Sequence, residues 1–240
     1  MCEIMANKYW VVIPAAGVGK RMQADRPKQY LPLCDKTVIE HTISCFSHHA
    51  DISGIVVSLS ANDPYWPELD LHSDAPLHRA EGGAERCHSV LNGLEVVTQY
   101  AHDDDWVLVH DAARPCLSRL DLDKLISEVN KDDVGGILAV PVRDTMKRGT
   151  VKSDNGLERI EHTVDRQGLW HALTPQMFRL GALRDALQQA LADGFEVTDE
   201  ASALEHGGKQ PRLVEGSSSN IKVTRPEDLA LAEYYLQHQL

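Results

Sequence analysis

Residues 9–30, YWVVIPAAGVGKRMQADRPKQY, decide how this chain is read. Tyr9 to Ile13 is short, β-branched and uncharged, which predicts a buried strand; Pro14 closes it, having no backbone donor for a ladder. The turn Ala15-Ala16-Gly17-Val18-Gly19 has almost no side-chain bulk, so its backbone N–H groups can approach anionic oxygens closely. Lys20, Arg21, Arg26 and Lys28 follow at once. Cations this close repel one another unless solvent or an anion lies between them. Strand, glycine turn and cations in this order suit a polyphosphate; the alternative is a basic surface loop beside an edge strand. Two familiar phosphate loops do not fit. A dinucleotide fingerprint needs a glycine where Met22 stands, and a P-loop needs Ser or Thr where Arg21 follows Gly19-Lys20.

The chain around this segment has 240 residues, 42% hydrophobic and 25% charged, ordinary values for a globular protein. A chain of this length buries roughly 70 to 75% of its unfolded surface and needs no staples. No stretch reaches the roughly 20 apolar residues of a membrane span, and the N-terminus lacks a signal pattern, so a cytosolic protein with no membrane partner is expected. The five cysteines are widely spaced, with no CxxC and no Cys/His cluster at zinc spacing, which predicts ordinary buried or half-buried thiols in a reducing compartment. His48-His49 point about 100° apart on a helix and make a poor chelate; a solvated helix end is the expected setting. The net charge of −12 argues against nucleic acid as a partner. It also makes the cationic loop a local anion site in an otherwise anionic chain.

Apolar runs at Gly54 to Leu59, Trp106 to His110 and Gly135 to Val140 predict further strands. Thr37 to His48, Arg86 to Tyr100 and Leu120 to Asn130 predict helices between them. This alternation predicts an α/β fold with a mostly parallel sheet flanked by helices, and ligands at the carboxyl ends of its strands. From Pro141 to Gly168 the chain turns charged, with short segments near Asp144 to Arg148 and Arg159 to Thr163 around Asp154-Asn155-Gly156, the pattern of a protruding β-hairpin arm. A lone hairpin is marginal in water, so a second subunit is a reasonable packing partner. Helices near Gly181 to Asp193 and Glu200 to His206, and a strand near Arg212 to Glu215, come next. Thr224-Arg225-Pro226-Glu227 then reads as a capping box opening a last helix through Tyr235. Residues 1–240 are expected to form one domain, with 141–168 as its arm.

Other groups of residues bear on chemistry. His110-Asp111-Ala112-Ala113-Arg114-Pro115 sits where a strand ends; its acid and base can grip a polar substrate or merely neutralise each other. Gly82-Gly83-Ala84-Glu85-Arg86, with Ser89, can set backbone and a hydroxyl against a flat base, or simply start a helix. Thr198-Asp199-Glu200 reads as a helix entry. Lys222, between Ile221 and Val223, reads as a strand lysine with an anionic partner.

Taken in order, PAAGVGKRM, PKQY, GGAERCHSV, VHDAARP, PVRDTMKR, HTVDRQGLWHALTPQ, TDEASALE and NIKVTRPEDLALAE resemble the 2-C-methyl-D-erythritol 4-phosphate cytidylyltransferase family from about Val11 to Tyr235. The resemblance implies a Rossmann-like nucleotidyltransferase sheet with a dimerising arm, and a reaction joining CTP to methylerythritol phosphate with release of pyrophosphate. It implies Mg²⁺ on the triphosphate, with no ligand directly from the protein, and a homodimer through the arm. Arg21 and Lys28 fall at catalytic positions. Ala15, Ala16, Gly17, Gly83, Ala84, Ser89, Ala112 and Lys222 fall at nucleotide positions. Asp111, Arg114, Thr145, Arg166, Thr174 and Lys222 fall at substrate positions, with Thr145 and Arg166 reaching into the partner's site. Relatives often carry Asp where this chain has Ala84. If that position reads cytosine through its backbone the change is mild; if through a carboxylate, base selectivity changes.

Overall fold

In the computed structural model, residues 8–17, 25–150 and 158–238 are described. In chain order these give β1 (Tyr9–Pro14), a short pair β2 (Pro32–Leu33) and β3 (Lys36–Thr37), α1 (Val38–Ser47), β4 (Ile52–Leu59), β5 (Leu77–Glu81), α2 (Arg86–Val97), β6 (Trp106–Val109) and α3 (Arg119–Val129). The second half holds β7 (Gly135–Pro141), β8 (Met146–Gly149), β9 (Ile160–Val164), β10 (Trp170–Arg179), α4 (Leu180–Ala192), α5 (Glu200–His206), β11 (Arg212–Glu215) and α6 (Pro226–His238). A seven-stranded sheet runs β11-β7-β10-β6-β1-β4-β5. Its strands are parallel except β10, which lies antiparallel to both β6 and β7. The expected mostly parallel sheet is therefore present, as a mixed one.

The sheet buries both faces. Val11, Ile13, Ile55, Val57, Leu108 and Met177 pack on one side with α1 and α3; Val12, Val56, Val107, Val109 and Phe178 pack on the other with α2 and α4. Continuous apolar runs without alternation follow from this two-sided burial. Helix α2 lies especially close to the sheet: a Cβ at Gly93 would stand 2.6 Å from Val12 Cγ1. No described helix is long and apolar enough to cross a membrane.

Several expectations change. β5 (LHRAE) escapes the apolar pattern because it is an edge strand with polar, partly exposed side chains. Lys222 is not on a strand: Val223 donates its N–H to the Ala113 carbonyl at 2.8 Å in an irregular segment. The last helix is entered through Asp228 instead of Glu227. Its carboxylate accepts the Thr224 and Arg225 N–H groups, each at 2.8 Å, while Pro226 takes the first helical position as expected. His49 is not solvated but buried, with Nε2 2.9 Å from Asp123 Oδ1. Cys34 is exposed, while Cys45, Cys87 and Cys116 are the half-buried or buried thiols anticipated. Cys87 Sγ lies 3.7 Å from His88 Nδ1 and 3.8 Å from Glu85 Oε2, a grouping the chain spacing did not announce.

The arm is present as the antiparallel pair β8–β9, exposed along nearly its whole length. Its Asp154-Asn155-Gly156 turn lies outside the described residues.

The contact between α2 and β1 yields a test. Gly93→Val should lower stability by about 1–3 kcal/mol through overpacking, read as a shift of the urea midpoint at unchanged m-value. A midpoint equal to that of the parent chain would contradict the packing described.

Candidate active site

The carboxyl ends of β1 and β6 open onto a cleft of about 220 Å³. Ala15, Ala16 and Gly17 form one wall, Gly83, Ala84, Arg86 and Ser89 another, and Asp111, Ala112, Lys28 and Lys222 close it. Each wall has a local cause. The turn after β1 is clamped by buried Gln29, whose Nε2 donates to the Ala15 carbonyl at 2.6 Å and the Gly17 carbonyl at 3.1 Å. This fixes the carbonyls and leaves the turn's small residues to face the cleft. A Cβ added at Gly17 would meet nothing within 4 Å, so packing does not demand a glycine there.

On the α2 side, glycine is required. A Cβ at Gly82 would stand 2.2 Å from Ala16 Cβ, and one at Gly83 2.3 Å from His88 Cβ. Gly83 donates its N–H to Ser89 Oγ at 3.0 Å, which ties the turn to the first turn of α2. Gly83, lacking a side chain, therefore meets the cleft through backbone, with Ala84 lining it alongside.

The floor is a charged network around Asp111, whose side chain is 9% exposed. Oδ1 accepts from Arg86 Nε at 3.0 Å; Oδ2 lies 2.8 Å from Lys222 Nζ and 3.4 Å from Arg114 Nε. Burial alone would push this carboxyl up, but Arg86, Lys222 and Arg114 outweigh it and hold the group well below the usual carboxylate range. Burial likewise disfavours the charged form of Arg86; Glu200 and Asp111 outweigh it and keep the guanidinium charged.

Beneath the floor sit His110, Thr174 and Arg114. His110 Nε2 lies 3.0 Å from the Arg114 carbonyl and must donate to it. Its Nδ1 is then an acceptor, 3.0 Å from Thr174 Oγ1, which in turn accepts the Asp111 N–H at 3.1 Å. Full burial lowers the His110 pKa to about 4, in keeping with this neutral tautomer. Arg114 Nη1 donates to the Asn220 carbonyl at 2.7 Å, and Asn220 Nδ2 donates to the Thr174 carbonyl at 2.7 Å. These bonds pull the 219–223 segment under β6 and place Lys222 at the cleft without a strand. Lys28 Nζ donates to the Val223 carbonyl at 2.9 Å, tying the first cation-bearing segment to the last.

The structure thus brings Ala15, Ala16, Gly17, Lys28, Gly83, Ala84, Ser89, Asp111, Ala112 and Lys222 to one cleft, with Arg114 and Thr174 directly behind it. Arg21 lies outside the described residues. Thr145 and Arg166 line a separate hollow of about 350 Å³ on the arm, together with Thr163, Val164 and Asp165. Two charged residues were passed over in the sequence. Arg86 appeared only within its motif and Glu200 only as a helix entry, yet Glu200 is fully buried and binds Arg86 through both oxygens. The acid three residues into TDEASALE gives no composition signal, because Asp199 beside it does cap α5.

The chain is similar to known proteins. The family model for IspD, 2-C-methyl-D-erythritol 4-phosphate cytidylyltransferase, matches residues 9–238. The chain is 60% identical over 222 residues to the 2-C-methyl-D-erythritol 4-phosphate cytidylyltransferase of Pseudomonas putida (strain GB-1), covering 92% of each chain. It is 59% identical over 222 residues to that of Pseudomonas fluorescens (strain SBW25), again with 92% of each covered. Among solved structures, the Francisella tularensis enzyme of the same name superposes with a TM-score of 0.81 at 36% identity, covering 95% of this chain and 99% of that one. The Thermus thermophilus enzyme gives 0.74 at 27% identity, covering 94% and 98%.

His110 supplies a prediction with a definite sign. Its pKa is about 4 in the fold against an ordinary 6.5, so between those values the unfolded chain binds more protons and stability falls as pH falls. The full window corresponds to about 3 kcal/mol. Urea midpoints should drop from pH 7 to pH 5 in the parent chain and drop less in His110→Gln; parallel pH dependence in the two would contradict a buried neutral imidazole.

Proposed function

The chain belongs to the 2-C-methyl-D-erythritol 4-phosphate cytidylyltransferase family, enzymes that use CTP in the non-mevalonate isoprenoid route, and from that premise we propose how its residues divide the work. The observation that carries the reading is the convergence of glycine turn, α2 entry, Lys28 and Lys222 on one cleft. The backbone N–H groups of Ala16 and Gly17 receive the triphosphate, and Ala15, whose own N–H donates to the Ser58 carbonyl at 2.8 Å, anchors the start of the turn beside them. Gly83, Ala84 and Ser89 border the cytosine, contacted mainly through backbone, which makes Ala84 compatible with base reading. Ala112 and Asp111 face the ribose, and Lys222, with its remaining N–H donors, faces phosphate. Arg114 and Thr174 act from behind by fixing Asp111 and the 219–223 segment.

The methylerythritol phosphate group is already an anion near neutral pH. One of its oxygens attacks the α-phosphorus of CTP, a new P–O bond forms, the α–β bridge breaks, and pyrophosphate leaves with the electron pair. No general base is needed. Charge gathers on the α-phosphoryl oxygens and the leaving group, and Lys28 and Arg21 stabilise it. Among the described residues, two carboxylates line the cleft: Asp111, already paired with three cations, and Glu85, on its exposed rim. That donor set fits Mg²⁺ arriving on the triphosphate oxygens with no ligand from the chain. When bound, the ion neutralises triphosphate charge and eases departure of pyrophosphate.

We further assign residues 141–168 as a dimerisation arm on a single domain, working as a cytosolic homodimer. The exposed arm strands, with Met146 and Ile160 36% and 66% exposed, support a partner surface. Thr145 and Arg166, apart from this chain's own cleft, are then available to hold methylerythritol phosphate in the partner's.

Lys28→Ala should keep its fold and lose roughly a hundredfold to a thousandfold in kcat, about 3–4 kcal/mol of barrier; near-normal kcat would sink the assignment. Mixing inactive Lys28→Ala with inactive Arg166→Ala should restore part of the activity through heterodimers. No recovery despite demonstrated subunit exchange would count against completion in trans.

A further inference from the structure

We infer that Glu200 is a positioning residue for the cleft floor: its two oxygens hold the terminal nitrogens of Arg86 and so fix the guanidinium where Nε meets one Asp111 oxygen and the other stays with Lys222. The inference rests on the functional reading above and deepens it. Glu200 is fully buried. Its Oε1 accepts from Arg86 Nη1 at 2.6 Å and its Oε2 from Nη2 at 3.1 Å, while Arg86 Nε donates to Asp111 Oδ1 at 3.0 Å. A guanidinium and a carboxylate left to themselves prefer the two-pronged arrangement. Without Glu200, Arg86 would turn its fork onto Asp111 and claim both oxygens, including the one 2.8 Å from Lys222 Nζ. Lys222 would then lose the contact that orients it toward phosphate.

A purely structural role for the pair is a poor account. Helix α5 is already anchored without it: Gln176 Nε2 donates to Asp199 Oδ2 at 2.9 Å, the Ala201 N–H donates to Gln176 Oε1 at 2.9 Å, and Ala201, Ala203 and Leu204 are buried in the core. Full burial of a carboxylate carries a desolvation cost that a well-packed apolar residue would avoid. The same anchoring explains the precision: Gln176 on β10 holds the first turn of α5, α5 aims Glu200, and Glu200 aims the Arg86 side chain that begins α2.

The test measures pyrophosphate release from CTP and methylerythritol phosphate by the full-length parent chain, Glu200→Gln, Arg86→Gln and the double variant, with Tm for each. Glutamine keeps the volume and turns an amide donor toward Arg86, which releases the fork. Misplacement of a reacting group by about 1 Å costs on the order of a hundredfold, so Glu200→Gln should lose roughly tenfold to a hundredfold in kcat/KM while remaining folded. Because Glu200 acts only through Arg86, the double variant should match Arg86→Gln within about twofold. Parent-like turnover in folded Glu200→Gln, or losses that multiply in the double variant, would overturn the inference. If Glu200→Gln does not fold, Arg86→Lys reads the same geometry, since an ammonium cannot fork onto Glu200 and also reach Asp111; the same loss supports the inference and parent-like turnover overturns it. Absence of pyrophosphate release in the parent chain would instead overturn the functional reading beneath it.

Discussion

One buried carboxylate, Asp111, holds the site together by sharing three cations, two of them from distant parts of the chain and one from its own loop. Arg86 arrives from the start of α2, Arg114 from the loop after β6, and Lys222 from a segment near the C-terminus. Burial alone would favour the neutral carboxyl, and the cations outweigh it and keep Asp111 ionised. The arrangement is reciprocal: cations that would repel one another are fixed by the acid, and the acid is kept charged by them. In the proposed function, a nucleotide entering the cleft would meet donors already placed, so little reorganisation would be required when charge develops in the transition state.

The supports of that carboxylate explain why the sheet matters to the chemistry. β6 delivers His110 and Asp111 at its carboxyl end, and β10, running antiparallel beside it, delivers Thr174 and Gln176. Thr174 receives the Asp111 N–H and steadies His110; Gln176 steadies α5. The pairing register of β10 with β7 shifts between Ala172 and Gln176, the span that holds Thr174 and Pro175. Proline offers no donor there, and an interrupted ladder lets Thr174 serve the floor of the cleft instead. Lys28 binds the Val223 carbonyl, so the cation-bearing segment after β1 and the Lys222 segment are joined behind the cleft.

The parts legible in the sequence were those governed by local rules. β1, β4, β6 and β7 read as apolar runs because both faces of the sheet are covered, and α5 and β11 read at their observed bounds. The glycine turn, the α2 entry and the β6 loop, singled out in the sequence for backbone access and charge, which are local properties, line one cleft. What did not read depends on contacts far apart. Arg86 and Glu200 are 114 positions apart, and nothing in either neighbourhood announces the other. Ile221-Lys222-Val223 alternates like a strand, but Val223 pairs with the Ala113 loop and no sheet edge receives it. Edge strand β5 carries His78, Arg79 and Glu81 and so lacks an apolar signature.

The central claim is that this cleft holds CTP and directs a polyol phosphate at its α-phosphorus through fixed cations and backbone donors. The most direct measurement is pyrophosphate release with Mg²⁺, each of the four ribonucleoside triphosphates, and a panel of polyol phosphates. Release with CTP and methylerythritol phosphate together, far above any other pairing, is the predicted result. Equal release with the other nucleotides, or release with CTP that does not depend on the polyol phosphate, would contradict it.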